Sequence, residues 1–359
     1  MRKIMKLSTA LILLLIMILP VFAEDPVINV LCYHRFKESK SVKDIYSITP
    51  ELFTKHMQFL KDNGYNVVPM SQYVDYIDGK GKMPEKAVVI TMDDGYKSVY
   101  EIAYPILKKF GYTGVSYVYE SFFPGGKNAI TTDMLKEMAG DGFELGCHSY
   151  THPILTKRSA EPDDAIYANW LKKEIITPKK YLEEKTGLKV ETMAYPFGAY
   201  SYAVTNTVKA AGYRAAFSVV PSYNTLDTDR FCLKRTMIFS STSVKKLKQI
   251  LEKKPIKLTQ MQPPEASINS EGPPELKAVI AEDSLLNTAT IKFKMGNVAL
   301  DESVYDPSSR TLTYDYKIKP LEKGFHYARV CATGKDGAEY EYAWAFIVGA
   351  PVSMEALAK

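Results

Sequence analysis

Short apolar runs and helix-periodic stretches alternate through the first two thirds of the chain. Val27 to His34, Val88 to Met92, Thr113 to Tyr119, Phe143 to Cys147, Glu191 to Tyr195, Tyr213 to Val219 and Phe231 to Ile238 read as strands, with a shorter one at Asn66 to Met70. They are bounded by turn material, as buried parallel strands are. Helices lie between them. Thr49 caps one, with Pro50 at its first position and Leu52, Phe53, Met57 and Leu60 at helical spacing; Gly64 ends it. Ser71 caps the next, to about Gly79. A helix follows Gly95 to about Phe110, and another is capped by Thr131 or Thr132. A long charged helix runs from Pro162 to about Lys185, interrupted near Pro178, and two more span Ser201 to Ala211 and Ser243 to Lys253. Seven or so strand–helix units predict a barrel, with its chemistry at the carboxyl ends of the strands.

The pattern changes after Lys254. Residues 255–275 carry five prolines without periodicity and read as a linker. Beyond it come strands without helices: Leu276 to Ala281, Thr288 to Met295, Thr311 to Lys317, Phe325 to Thr333 and Glu339 to Val348, the last two joined by a Lys335-Asp336-Gly337 turn. Alternation of Ala328, Val330 and Ala332 with Tyr327 and Arg329 predicts a half-buried antiparallel strand, and the region 276–350 a small all-β sandwich. Residues 351–359 form a tail. At the other end, Arg2, Lys3 and Lys6 precede the apolar run Leu11 to Ile18, then Pro20 and Val21-Phe22-Ala23. Residues 1–23 therefore read as a signal peptide cut before Glu24, leaving a first domain at 24–254; an uncleaved anchor is the other reading. Localisation outside the cytoplasm follows: secreted, cell-surface or periplasmic. The chain has 46 basic and 41 acidic residues, and three of the basic ones lie in this leader. What remains is close to neutral, so no nucleic-acid partner is expected.

Three stretches carry candidate chemistry. The strand Val88-Val89-Ile90-Thr91-Met92 ends in Asp93-Asp94-Gly95. Neighbouring side chains on a strand face opposite sides, so two carboxylates serve one pocket only if the chain turns there, and Gly95 allows that turn. They are either a base beside a metal ligand or a solvated turn. His148 and His152 are four apart just after a strand. Alone they are loop histidines or metal ligands. With Asp94 they make a three-ligand site with open positions, as in hydrolytic zinc, and Asp93 becomes a general base. Tyr195-Pro196-Phe197-Gly198 ends a strand before a helix. The Phe197 amide faces a developing oxyanion, or the stretch is an ordinary turn.

Taken together, Thr91-Met92-Asp93-Asp94-Gly95, His148-Ser149-Tyr150-Thr151-His152 and Tyr195-Pro196-Phe197-Gly198 resemble the three motifs of the polysaccharide deacetylase family, the NodB-homology domain of carbohydrate esterase family 4. The third motif is similar to the branch acting on poly-N-acetylglucosamine, as are Leu31-Cys32-Tyr33-His34 and Leu233-Lys234-Arg235. The resemblance covers about residues 27–250. It implies a distorted (β/α)7 barrel, a divalent metal (Zn2+, with Co2+, Ni2+ or Fe2+ as alternatives) and removal of N-acetyl groups from amino-sugar polysaccharide. It also implies roles: Asp93 as base, Asp94, His148 and His152 as ligands, and the Phe197 amide in the oxyanion hole. Two positions depart from the common pattern. Ala194 stands where many members have the arginine that orients the base, and Arg235 replaces it or is a surface arginine. The late leucine-x-histidine general acid is missing. Of the five histidines, His148 and His152 are ligands by this resemblance, His326 lies in the sandwich and His56 on a helix face. His34, whose equivalent Tyr-His takes the acid's role in the poly-N-acetylglucosamine branch, is then the general acid or a packed strand-end histidine.

If His34 faces the pocket, Cys32 points to the same side and Cys147 away, which argues against a disulfide between them and for four buried free thiols. The sandwich resembles bacterial Ig-like domains in Gly324 to Val330 and Trp344-Ala345-Phe346, and is a spacer or a contact to glycan or cell wall. A monomer is expected. Peptidoglycan or chitin deacetylation, O-acetyl-xylan esterase activity, and an inactive glycan-binding or adhesion protein are the alternatives.

Overall fold

The computed structural model describes residues 26–39, 44–157, 164–269, 275–316 and 321–349. The expected signal peptide, the tail and residues 270–274 of the expected linker lie outside the described residues.

Eight parallel strands form one curled sheet: β1 (Ile28–Tyr33), β2 (Asn66–Val67), β3 (Ala87–Met92), β4 (Val115–Val118), β5 (Glu144–Cys147), β6 (Thr192–Ala194), β7 (Ala215–Phe217) and β8 (Thr236–Met237). The order is β8-β1-β3-β4-β5-β6-β7, with β2 also on β3. The segment before β8 reaches both ends of this path. Leu233 bridges to Phe217, while Thr236 and Met237 pair with Leu31 and Cys32. The predicted strand Phe231 to Ile238 is thus two short contacts around a closing segment.

Alternate strand positions feed two cores, as the two-residue period demands. Ile28, Val30, Ala87, Val89, Val115, Tyr117, Phe217 and Leu233 fill the concave side. Leu31, Tyr33, Val88, Ile90 and Met92 face outward. There they meet Phe53 and Met57 of α1 (Pro50–Asp62) and further helices. Helix α2 (Met70–Ile77) joins the inner core through Tyr73 and Val74. It begins one residue before Ser71, and its cap is remote: Glu144 accepts from the Met70 and Ser71 amides at 2.7 and 2.8 Å. The remaining helices are α3 (Tyr104–Phe110), α4 (Thr132–Gly140), α5 (Asp164–Thr186), α6 (Tyr202–Ala210) and α7 (Val244–Leu251). Helix α5 passes through Pro178 without a break, contrary to the expected interruption.

Two packed sheets make up the C-terminal unit. One is built on the hairpin Gly324–Thr333 and Glu339–Val348, the other on Leu276–Ile280 and Thr311–Tyr314. Leu276, Ala278 and Leu312 from one share a core with Phe293, Val330, Trp344 and Phe346 from the other. The stretch read as a linker is largely part of this unit. Lys254–Pro255 and Ile268–Asn269 pair with Glu339–Val348, and Leu258–Gln262 pairs with Leu276–Ile280. Prolines at strand edges and between strands, such as Pro255 and Pro263, hid these short pieces from a periodicity reading. The sandwich is also seated on the barrel. Glu265 accepts from Tyr200 Oη at 2.5 Å, Lys234 Nζ at 2.8 Å and the Ala345 amide at 2.8 Å. Ala266, Ala343 and Ala345 belong to the outer core of the barrel. Among the described residues no helix is long and apolar enough to cross a membrane.

Candidate active site

Asp93 continues the inward parity of Ala87, Val89 and Thr91, and its amide donates to the Tyr33 carbonyl at 2.9 Å. The next residue would point out of the barrel if the strand ran on. Instead Asp94 has φ 75° and Gly95 φ 75°, so the chain turns at the carboxylates and both reach one pocket. The turn begins a residue earlier than Gly95 alone implied. Left-handed backbone recurs at Ser149 (φ 74°), His152 (φ 59°) and Phe197 (φ 57°), each in a site segment. Such residues persist where the surrounding structure over-determines them, and they cluster at functional sites.

Arg235 is wholly buried and forks onto Asp93, Nη1 to Oδ1 and Nη2 to Oδ2, both 2.7 Å. Its Nε donates to the Ser218 carbonyl at 3.0 Å and Nη1 also to Thr91 Oγ1 at 3.1 Å. The surface-arginine reading is thereby excluded. The guanidinium lies 5.3 Å from the centre of the Tyr117 ring. Tyr117 in turn fills the space over Gly146, where an added Cβ would come within 2.2 Å of the ring. Burial alone would raise the Asp93 pKa, but Arg235, with His148 nearby, holds the carboxyl well below the usual range. Cys32 Sγ donates to Asp93 Oδ2 at 3.3 Å, the inward placement expected for it, and burial pushes this thiol well up. Cys32, Cys147 and Cys232 are buried free thiols, whereas Cys331 is only half buried, because it lies on the sheet face opposite the sandwich core.

His148 follows β5 at the parity of Gly146 and is buried. Its Nδ1 donates to the Ala194 carbonyl at 2.7 Å, which leaves Nε2 with a free lone pair. Burial, outweighing the nearby carboxylates, lowers its pKa to about 4. His152 Nε2 stands 3.2 Å from His148 Nε2, and Asp94 Oδ1 is 3.3 Å from the first and 3.6 Å from the second. A tetrahedral ion with ligands at about 2.0–2.1 Å spaces them roughly 3.3 Å apart. Asp94, His148 and His152 therefore fit three corners of a divalent-cation site. Burial works against the Asp94 carboxylate, yet His152 and His148 hold its pKa down.

His34 is drawn into the same pocket. One ring nitrogen, Cys32 Sγ and an Asp93 oxygen lie within 4.8 Å of one another. Its Nδ1 is buried without a protein partner, and its ring is 5.2 Å from that of Tyr46. Burial lowers its pKa. Phe197 is 59 % exposed, with its ring edge-on to His152 at 4.8 Å. The next residue, Gly198 (φ 71°), leaves no room for a Cβ, which would meet the Val219 amide at 2.7 Å. The structure thus brings all seven candidate residues to one end of the barrel. His56 lies on the buried face of α1; Nε2 donates to the Thr242 carbonyl at 2.8 Å and Nδ1 accepts from Tyr33 Oη at 3.2 Å. Sequence reasoning missed Thr91, Tyr117 and Gly146 as supports of the charged pair. Their inward parity was the available signal.

Residues 80–216 match the polysaccharide deacetylase family. The poly-beta-1,6-N-acetyl-D-glucosamine N-deacetylase of Staphylococcus aureus (strain MRSA252) is 27% identical over 209 residues, 56% of this chain and 71% of that protein. A de-N-acetylase from Aggregatibacter actinomycetemcomitans is 27% identical with a TM-score of 0.54, covering 62% of this chain and 99% of its own. The Streptococcus pyogenes deacetylase PplD, solved with acetate, shares the fold at a TM-score of 0.57 and 24% identity, covering 64% and 99%. The matched stretch carries the paired aspartates, both clustered histidines and the Tyr-Pro-Phe-Gly turn, so residues 80–216 of the α/β unit match a polysaccharide deacetylase domain in sequence and the unit shares that fold with these solved structures.

Proposed function

We propose that this protein is an extracytoplasmic, metal-dependent N-deacetylase of a poly-N-acetylglucosamine-like polysaccharide. The observation that carries the reading is a buried, Arg235-paired carboxylate, Asp93, beside the Asp94–His148–His152 triad at the barrel mouth. The name of the Staphylococcus aureus relative supports the substrate class. Asp94, His148 and His152 would hold a divalent cation, Zn2+ in our reading, which would supply positive charge to stabilise the oxyanion and make bound water more acidic.

The protein's own groups do the rest. Asp93, kept ionised and oriented by Arg235, accepts a proton from the attacking water. The Phe197 amide donates to the oxyanion as the tetrahedral carbon forms. His34 then gives a proton to the departing amine, the C–N bond breaks, and acetate and a free amino sugar result. Ala194 does not orient the base in this scheme; its carbonyl orients His148. The C-terminal sandwich we read as Ig-like, a support for the barrel with a glycan-facing surface.

The test is acetate release from poly-N-acetylglucosamine, chitin oligomers, peptidoglycan and acetylxylan, with metal content measured alongside. Release from the first, lost in His34→Ala with metal content unchanged, is the expected result. Bound metal without release from any polymer would favour a binding protein, and near-normal turnover in His34→Ala would remove His34 from the acid's role.

A further inference from the structure

We propose that Glu174 and Pro178, in the middle of α5, are positioning residues for the loop that carries His148 and His152. The inference rests on reading those histidines as metal ligands. In a regular helix the Glu174 carbonyl would accept from the amide of residue 178, but proline has no N–H. The orphaned carbonyl accepts instead from the Tyr150 amide at 3.0 Å. The side chain of the same residue accepts from the Thr151 amide at 2.9 Å and from Thr151 Oγ1 at 2.8 Å. Three bonds from one buried glutamate thus hold two consecutive residues between the ligands.

The opposite side of the loop is held as well. Glu120 and Ser121 amides donate to the Ser149 and Tyr150 carbonyls at 3.1 and 2.8 Å. The His152 amide donates to Ser149 Oγ at 2.9 Å. Ser149 and His152 both have left-handed backbone, which needs such clamping from two sides. Pro178 is therefore a means of turning a helix carbonyl outward to the ligand loop.

The experiment compares full-length wild type with Glu174→Ala, Glu174→Gln and Pro178→Ala. Zn2+ affinity is measured by chelator competition, and amide hydrogen exchange at Tyr150 and Thr151 is measured in the metal-free protein. Glu174→Ala should weaken Zn2+ binding by about 10–100-fold, the usual effect of removing a support behind a ligand. Glu174→Gln should fall between, and Pro178→Ala, which restores a competing N–H, should speed exchange at Tyr150. Core-strand amides should stay protected in all three. A general packing role would instead lower the melting temperature equally with and without Zn2+. The proposal is overturned if Pro178→Ala and Glu174→Gln, the variants that decide should Glu174→Ala fail to fold, keep wild-type Zn2+ affinity and wild-type exchange. Wild type that binds no Zn2+ but protects both amides would overturn the ligand reading while leaving the anchoring intact.

Discussion

Arg235 has its charge opposite Asp93 with both side chains almost completely out of solvent. Separately, either charge would be costly to bury, and removing one partner from such a pair typically costs about 3–5 kcal/mol. Arg235→Met should therefore lower unfolding free energy by roughly that amount, measured by urea denaturation. It should also abolish acetate release while the protein still binds Zn2+ through the untouched triad. A variant as stable as wild type would mean Asp93 finds another partner. Asp93 was legible in the sequence as one of two adjacent carboxylates ending a buried strand, with its separate part from Asp94 suggested by the histidine pair. Which of the two points inward needed the strand's neighbours, since the strand is buried on both faces. Arg235 was not legible from spacing alone, since 142 residues separate it from its partner. Only the resemblance to a family singled it out.

Among the elements, β5 and α1 show how packing overrides local signals. Gly146 in β5 exists for the Tyr117 ring, which is held by Thr192 at 3.0 Å and lies under Arg235. Gly146→Ala should destabilise the barrel by about 1–3 kcal/mol or more. Much of that should return when Tyr117→Leu is added, a recovery that chemical denaturation of single and double variants would reveal. His56 in α1 supports a pH prediction. It is buried, its pKa is lowered by desolvation despite the Thr242 bond, and the unfolded chain therefore binds its proton more readily. Stability should fall as pH drops below the ordinary histidine value near 6.5. Part of that fall should vanish in His56→Gln; an unchanged pH slope of the urea midpoint would refute it. The helical period found α1 and placed His56 on one of its faces, but the period does not say which groups bond a polar side chain on the buried side; that depends on Tyr33 and Thr242, far away in sequence. Pro178 misled for a related reason. A proline breaks a helix by default, and nothing local says that a distant loop will take up the orphaned carbonyl.

For the whole molecule, the two units form one structure. Lys234 and Arg235 are consecutive and face opposite ways, Lys234 to Glu265 in the sandwich and Arg235 to Asp93 in the barrel. Tyr223 Oη donates to the Glu341 carbonyl, and Lys253 pairs with the Glu341 carboxylate at 2.6 Å. A chain ending at Lys254 should lose cooperative unfolding or aggregate, because Ala266, Ala343 and Ala345 are part of the barrel's outer core. A soluble fragment with full acetate release would show that the sandwich is dispensable. The alternation of strands and helices made the barrel readable. The division at 255–275 was misread because short edge strands rich in proline carry no period.

The segment that joins Phe217 to Leu31 is both the seam of the sheet and the carrier of Arg235. A carboxylate buried without a partner is costly, so sealing the barrel and neutralising Asp93 are one event. Local opening of this seam should therefore expose the Asp93–Arg235 pair to water, and amide hydrogen exchange at Leu233 and Met237 should speed up together in Arg235→Met.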